Sequence, residues 1–346
     1  MRPTQPEPPT GTGVPGLTVR PIGPAAAPAT AATAGAGDRA AVPAGPWRPA
    51  ETVVRPALPV DLGLTLGPLR RGHGDPTMRV ERDGCWWRAT RTPQGPATAR
   101  YKLEDAAVRV TAWGPGAEWC LAAAAELLGA GDSLEGFRPD GLVAELHRRL
   151  PGLRIARSQA VFEAMVPSIL EQRVTGMEAR TAYRTMVRAW GEPAPGPLPL
   201  RVPPAPDVLA TAPYWAFHRF GVEMKRANAI RGAAGRAARI DATAALATDD
   251  ARRRLQSLPG VGPWTAAEVA LVALGDADAV SVGDFHLPHL VSWALAGEPR
   301  GTDERMLELL SPWPGHRGRV VRLLAAAGPW PPRFGPRMPI RSFRRI

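Results

Sequence analysis

The segment Leu255-Gln-Ser-Leu-Pro-Gly-Val-Gly-Pro-Trp-Thr-Ala-Ala-Glu-Val-Ala270 constrains this chain more than any other. Helical periodicity stops near Ser257 and resumes around Pro263, so only Leu258-Pro-Gly-Val-Gly262 is left to turn the chain. Gly260 and Gly262 supply turn geometry and let another molecule approach the backbone closely. Pro263 suits the first turn of the second helix. The amides of the turn and of the helix start have no intrahelical partners and point outward, which suits them to a phosphate. A grip made by backbone holds a duplex without reading its sequence.

The texture of the chain changes along its length. Residues 1–48 are rich in Pro, Ala, Gly and Thr and almost lack large apolar side chains, so they are expected to form a disordered tail. Residues 49–134 read as a small α+β domain. A short helix is predicted within Asp61–Arg70, strands over Met78–Glu81, Cys85–Arg91, Ala97–Leu103 and Ala106–Trp113, and a helix over Glu118–Leu128. Turn signals fall at Asp83-Gly84 and Pro93-Gln-Gly95. Residues 135–330 read as all-α, with the helix-hairpin-helix at 252–274. Helices are predicted over Leu142–Leu150, Gln159–Leu170, Met177–Trp190, Met224–Ile240, Ala251–Leu258, Thr265–Leu274, Phe285–Leu295, Arg305–Leu310 and Arg317–Ala327. Residues 331–346 form a basic, Pro-rich tail. The fold class is therefore α+β, a small antiparallel-sheet domain followed by a larger helical one.

The 346 residues carry a formal net charge of +11, which favours a polyanionic partner. Lys102 and Lys225 are the only lysines, so nearly all this charge is Arg; with abundant Ala, Pro and Gly it carries the mark of GC-rich codons. Cys85 and Cys120 are too few for a disulfide framework or a four-thiolate cluster and read as free thiols in a reducing compartment. The N-terminus lacks the apolar core of a signal peptide, and no apolar run is long enough to span a bilayer. The expectation is a cytoplasmic monomer with no membrane partner and no cofactor or metal.

The hairpin segment resembles the helix-hairpin-helix–Gly/Pro/Asp superfamily of DNA glycosylases. That family carries a catalytic aspartate past the hairpin at the start of a helix, and Ser281-Val-Gly-Asp-Phe-His-Leu287 supplies Asp284 at the matching separation. From about residue 55 to 327 the chain is most similar to the DNA-3-methyladenine glycosylase II branch. The likeness includes Phe162–Gln172, Trp313–Val321 and an N-terminal α+β domain. It implies a monofunctional N-glycosylase of base excision repair that flips a damaged, alkylated purine out of double-stranded DNA and releases it. Asp284 is then the catalytic carboxylate, which stabilises positive charge on the sugar and orients water. An aspartate at a helix start also serves as an N-cap, and the two roles are compatible. A base alkylated at a ring nitrogen is cationic and leaves readily, consistent with one evident carboxylate.

Relatives that also cut the strand carry a lysine amine in the hairpin motif. Trp264 stands at that position here, so no lyase step is expected. The resemblance places DNA contacts at Gln172, Arg173, Leu258, Gly260, Val261, Gly262 and Thr265. It lines the base pocket with Trp264, Glu268, Pro68 and Ala325. Trp264 is read either as a stacking platform or as a core residue joining the hairpin helices. Pro68, Glu268 and Ala325 replace expected aromatics and imply a wider, more polar pocket. Arg173 is read as a wedge filling the gap left by the flipped base, or alternatively as a phosphate contact. Two rival functions remain open: a catalytically inactive DNA-binding protein, and a metal-dependent hydrolase using Asp284, His286 and His289.

Overall fold

The computed structural model describes residues 47–332. The two predicted tails therefore lie outside the described residues, apart from positions 47–48 and 331–332. Among the described residues five antiparallel strands form one sheet in the order β1-β5-β4-β3-β2. The strands are β1 (Ala50–Val54), β2 (Met78–Val80), β3 (Trp86–Thr92), β4 (Gly95–Glu104) and β5 (Ala107–Trp113). Between β1 and β2 lies α1 (Leu62–Leu66), capped by Asp61, whose Oδ1 accepts the Leu64 amide at 2.9 Å. A single 3-10 turn, Gly67–Leu69, follows it.

Alternation in β4 and β5 sends Ala97, Ala99, Tyr101, Val108, Val110 and Ala112 to one face. That face packs on Leu62 and Leu66 of α1 and on Cys120 and Leu127 of α2 (Ala117–Ala122) and α3 (Ala124–Leu127). The strand β1 has no predicted counterpart. Its five residues, Ala-Glu-Thr-Val-Val, are too few to show a period, and it exists by pairing with β5 from Ala50 opposite Ala112 to Val54 opposite Val108.

The helical part runs through α4 (Gly141–Arg149), α5 (Val161–Leu170), α6 (Gly176–Trp190), α7 (Pro206–Thr211), α8 (Met224–Ala234), α9 (Ala237–Asp241) and α10 (Thr248–Gln256). It continues through α11 (Pro263–Val269), α12 (Leu287–Ala296), α13 (Asp303–Leu310) and α14 (Arg317–Ala327). Helix α5 is its axis: Val161, Phe162, Met165, Ile169 and Leu170 are buried among residues from α6, α8, α10 and α11. A second core joins α4, α12, α13 and α14 through Leu146, Leu290, Met306, Leu310 and Leu324.

Several predicted helices are divided. The run Met224–Ile240 breaks at Gly235 into α8 and α9, since glycine forgoes the helix-stabilising side chain. The run Glu118–Leu128 is interrupted at Ala123, and α5 begins at Val161 rather than Gln159, which sits at φ 58° with its amide on the Ala273 carbonyl at 3.0 Å. Past α11 the backbone widens into a π turn over Ala270–Leu274. Helix α7 and the 3-10 segment Tyr214–Phe220 lie in a stretch for which no element is predicted.

The sheet and the helices are joined by charge as well as by apolar packing. The Glu163 carboxylate of α5 accepts Arg88 Nη2 at 2.7 Å and Thr90 Oγ at 2.6 Å, both from β3. Arg71 reaches Glu171, just past α5, at 3.3 Å. No described helix is long and apolar enough to cross a membrane.

Candidate active site

Asp284 owes its position to the tight turn before α12. The Asp284 amide donates to the Ser281 carbonyl at 3.2 Å, and Gly283 between them takes φ 90°, a conformation that disfavours any side chain. The carboxylate is anchored at both oxygens. Oδ1 accepts the amides of His286 (2.7 Å) and Leu287 (2.9 Å), capping α12 where the helix dipole favours an anion. Oδ2 accepts the indole Nε1 of Trp264 at 3.0 Å. One side chain thus bonds both the start of α12 and the Trp264 indole. Trp264 is half-buried, and its visible task is to hold that carboxylate, a role beside the two read from the sequence.

The hairpin leads directly into the helix that carries Trp264. Gly260 sits at φ 83°, where a Cβ would also approach Ala229 Cβ to 2.8 Å, so the glycine is required on two counts. Gly262 has an ordinary φ of −96°, and an added Cβ would meet nothing within 4 Å. The first i→i−4 bond of α11 runs from the Ala266 amide to the Gly262 carbonyl at 3.0 Å, leaving the Trp264 and Thr265 amides ahead of the ladder. Of the predicted DNA contacts in the hairpin, Val261 is buried in the helical core and Leu258 packs against that core partly buried. Thr265 is also buried.

Gln172 ties the loop after α5 to this hairpin. Its Nε2 donates to the Gly260 carbonyl and to Thr265 Oγ, both at 2.9 Å. The next residue, Arg173, is exposed and sits at φ 54°, a left-handed conformation that is uncommon outside glycine. Thr175 then starts α6 with a reciprocal capping box to Glu178, which fixes the exit from the loop. Arg173 is therefore at the apex of a short loop whose two ends are bonded.

Glu268 lies one turn after Trp264 on the same face of α11. Ser281 Oγ donates to its Oε1. Burial pushes the Glu268 carboxyl above the usual range, partly offset by the serine bond; the charges of Glu171 and Asp284 raise it further and Arg71 lowers it. Burial pushes Arg322 of α14 down to about 10, against the pull of Glu268, and its Nη2 donates to the Leu64 carbonyl at 2.9 Å. Pro68 is half-buried in the 3-10 turn after α1, and Ala325 is exposed on α14, three residues past Arg322.

Sequence reasoning did not single out Ser281, Glu171, Arg71 or Arg322, although their fields converge on Glu268. Two of them had a local signal. Glu171 immediately precedes Gln172, and Ser281 opens the turn that carries Asp284.

The rival metal triad finds no support. Among the described residues the group of three that brings ligand atoms together is Glu81, Asp83 and Cys85, at the β2–β3 turn. His289 Nδ1 instead accepts the Gly301 amide at 3.1 Å, and the exposed Phe285 ring meets His286 edge-on at 5.0 Å.

This architecture has solved counterparts. A 3-methyladenine DNA-glycosylase from Archaeoglobus fulgidus superposes with a TM-score of 0.68, covering 79% of this chain and 97% of that one at 19% identity. The chain shares the fold of that glycosylase. No family model matches it. Escherichia coli DNA-3-methyladenine glycosylase 2 is 28% identical over 178 residues, spanning 50% of this chain and 61% of that protein. A Mycobacterium tuberculosis protein described as a probable bifunctional transcriptional activator/DNA repair enzyme AlkA is 31% identical over 141 residues. That match spans 40% of this chain and 28% of the relative. The chain spans less than two thirds of the length of either curated relative.

Proposed function

We propose that this protein is a monofunctional DNA N-glycosylase that flips a damaged purine, alkylated bases foremost, from duplex DNA and hydrolyses its glycosidic bond. The observation that carries the reading is the Asp284 carboxylate, fixed by two amides and an indole N–H on the helix that follows the hairpin. As the base departs the sugar becomes cationic, and a carboxylate held by pre-formed bonds stabilises that charge without reorganising. The same carboxylate can align the incoming water. The hairpin amides, with Gly262 open above them, suit a phosphate, and Arg173 at its apex suits insertion into the gap the base leaves.

The reading is tested by incubating the protein with duplexes carrying single modified bases and measuring free base. Release is expected with the strand intact until alkali is added, because Trp264 offers no amine to form a Schiff base. A covalent adduct trapped with borohydride contradicts the monofunctional assignment, and no release from any modified duplex contradicts the activity.

Gly262→Glu, which has space for its side chain, is expected to weaken binding to damaged and undamaged duplex alike. Gly260→Glu is a poorer probe because it disturbs the fold as well. Loss of binding to damaged DNA alone means that the hairpin lines the base pocket instead.

Arg173→Ala is expected to slow excision more on well-paired duplexes than on mismatched ones, where extrusion is already easier. Refilling the gap offsets an unstacking cost of roughly a few kcal/mol. Single-turnover rates on matched and mismatched substrates, with the salt dependence of binding, decide the matter. Equal losses on both duplexes with a shallower salt slope make Arg173 a phosphate contact.

A further inference from the structure

The active-site cluster holds a second carboxyl group that the catalytic role of Asp284 does not use. Glu268 sits on the Trp264 face of α11, and Ser281, three residues before Asp284, donates a hydrogen bond to its Oε1. That bond leaves Oε2 to carry a proton. The end of α5 presents Glu171, the turn before α12 presents Asp284 and Ser281, the segment after α1 presents Arg71, and α14 presents Arg322. The two acids are like charges. Arg71 is committed to Glu171 at 3.3 Å, and Arg322 donates to the Leu64 carbonyl. Among the described residues no Arg or Lys forms an ion pair with Glu268 within 4.0 Å. A half-buried carboxyl with two acidic neighbours and no close cation favours its neutral form.

We infer that Glu268 stands in the site as the protonated acid and gives its proton to the departing base where that base is neutral in DNA. The inference rests on the glycosylase reading above. A cationic alkylated base leaves with the bonding pair and becomes neutral unaided. A neutral base would leave as an anion. When the C1′–N bond breaks, its electron pair stays with the base, the Glu268 proton moves to a base nitrogen or oxygen, and the base departs neutral. Water then adds to C1′ beside Asp284, and the proton it releases restores the Glu268 acid. The two carboxyl groups thereby divide the work, one ionised and facing positive charge, the other neutral and facing the leaving group.

The test compares the full chain and Glu268→Gln on two duplexes, one with 7-methylguanine as the cationic base and one with hypoxanthine as the neutral base. Glutamine keeps the size of the side chain and an acceptor for Ser281 but has no proton to give. The expected result is a loss of about 10²- to 10⁴-fold on hypoxanthine and a far smaller loss on 7-methylguanine. With the unaltered protein, hypoxanthine release should fall about tenfold per pH unit above the Glu268 pKa, a limb absent for 7-methylguanine. This measurement needs no variant. Equal losses on both bases, superimposable pH profiles, or 7-methylguanine release without hypoxanthine release each overturn the inference. Release of neither base by the unaltered protein instead removes the glycosylase reading on which it rests.

Discussion

Asp284→Asn retains duplex binding and loses base release by about 10²- to 10³-fold, the scale for removing one pre-organised electrostatic contact in an active site. The amide oxygen can still accept the His286 and Leu287 amides, because asparagine caps helices about as well as aspartate, so α12 should hold its start. What disappears is the negative charge. The Trp264 Nε1–H that now donates to Oδ2 would also face an NH₂ group, donor against donor. Single-turnover base release and binding to undamaged duplex, measured together, separate chemistry from anchoring. A variant within tenfold of the parent rate moves catalysis to another residue.

The second large effect is structural and lies away from the site. Arg319, on α14, and Asp132 are almost wholly buried and paired through two guanidinium nitrogens, with Ser133 and His316 completing the Arg319 partners. Asp132 also accepts the Ile155 amide at 3.0 Å. Either Asp132→Ala or Arg319→Met strands a buried charge and is expected to cost about 3–5 kcal/mol. Combining the two removes both of these charges but leaves the buried Arg154, whose Nη1 lies 3.9 Å from Asp132, without its carboxylate, so only part of that loss should be recovered. Denaturant unfolding of the single and double variants reads it directly. Single variants within about 1 kcal/mol of the parent mean that water reaches the pair.

The elements with a sustained period were legible in the sequence. The alternation in Ala106–Trp113 and the helical spacing of Met177–Trp190 both correspond to elements within a residue or so at their ends. Elements defined by their neighbours were not. Strand β1 is made by pairing with β5, and the division at Gly235 lies inside a run whose alanines all favour helix. The same division holds at the site. The motif alone located Asp284, Trp264 and the hairpin, because their spacing is local. The environment of Glu268 is assembled from α5, α11, α14, the turn before α12 and the segment after α1, and no spacing rule links those stretches. The left-handed backbone at Arg173 was likewise invisible, since nothing about an arginine announces a positive φ.

The bond between β3 and α5 bears on how the chain can be cut. Arg88 and Thr90 supply donors to Glu163 from the sheet, while Arg71 meets Glu171 and Arg322 and Arg154 donate to the carbonyls of Leu64 and Pro59. A fragment beginning near residue 135 would keep every part of the hairpin and Asp284, yet it would strip those acids of their cations and those arginines of their acceptors. The exposed seam would carry unpaired polar groups as well as apolar surface. The sheet thus supplies partners that the helical half, standing alone, would leave unpaired.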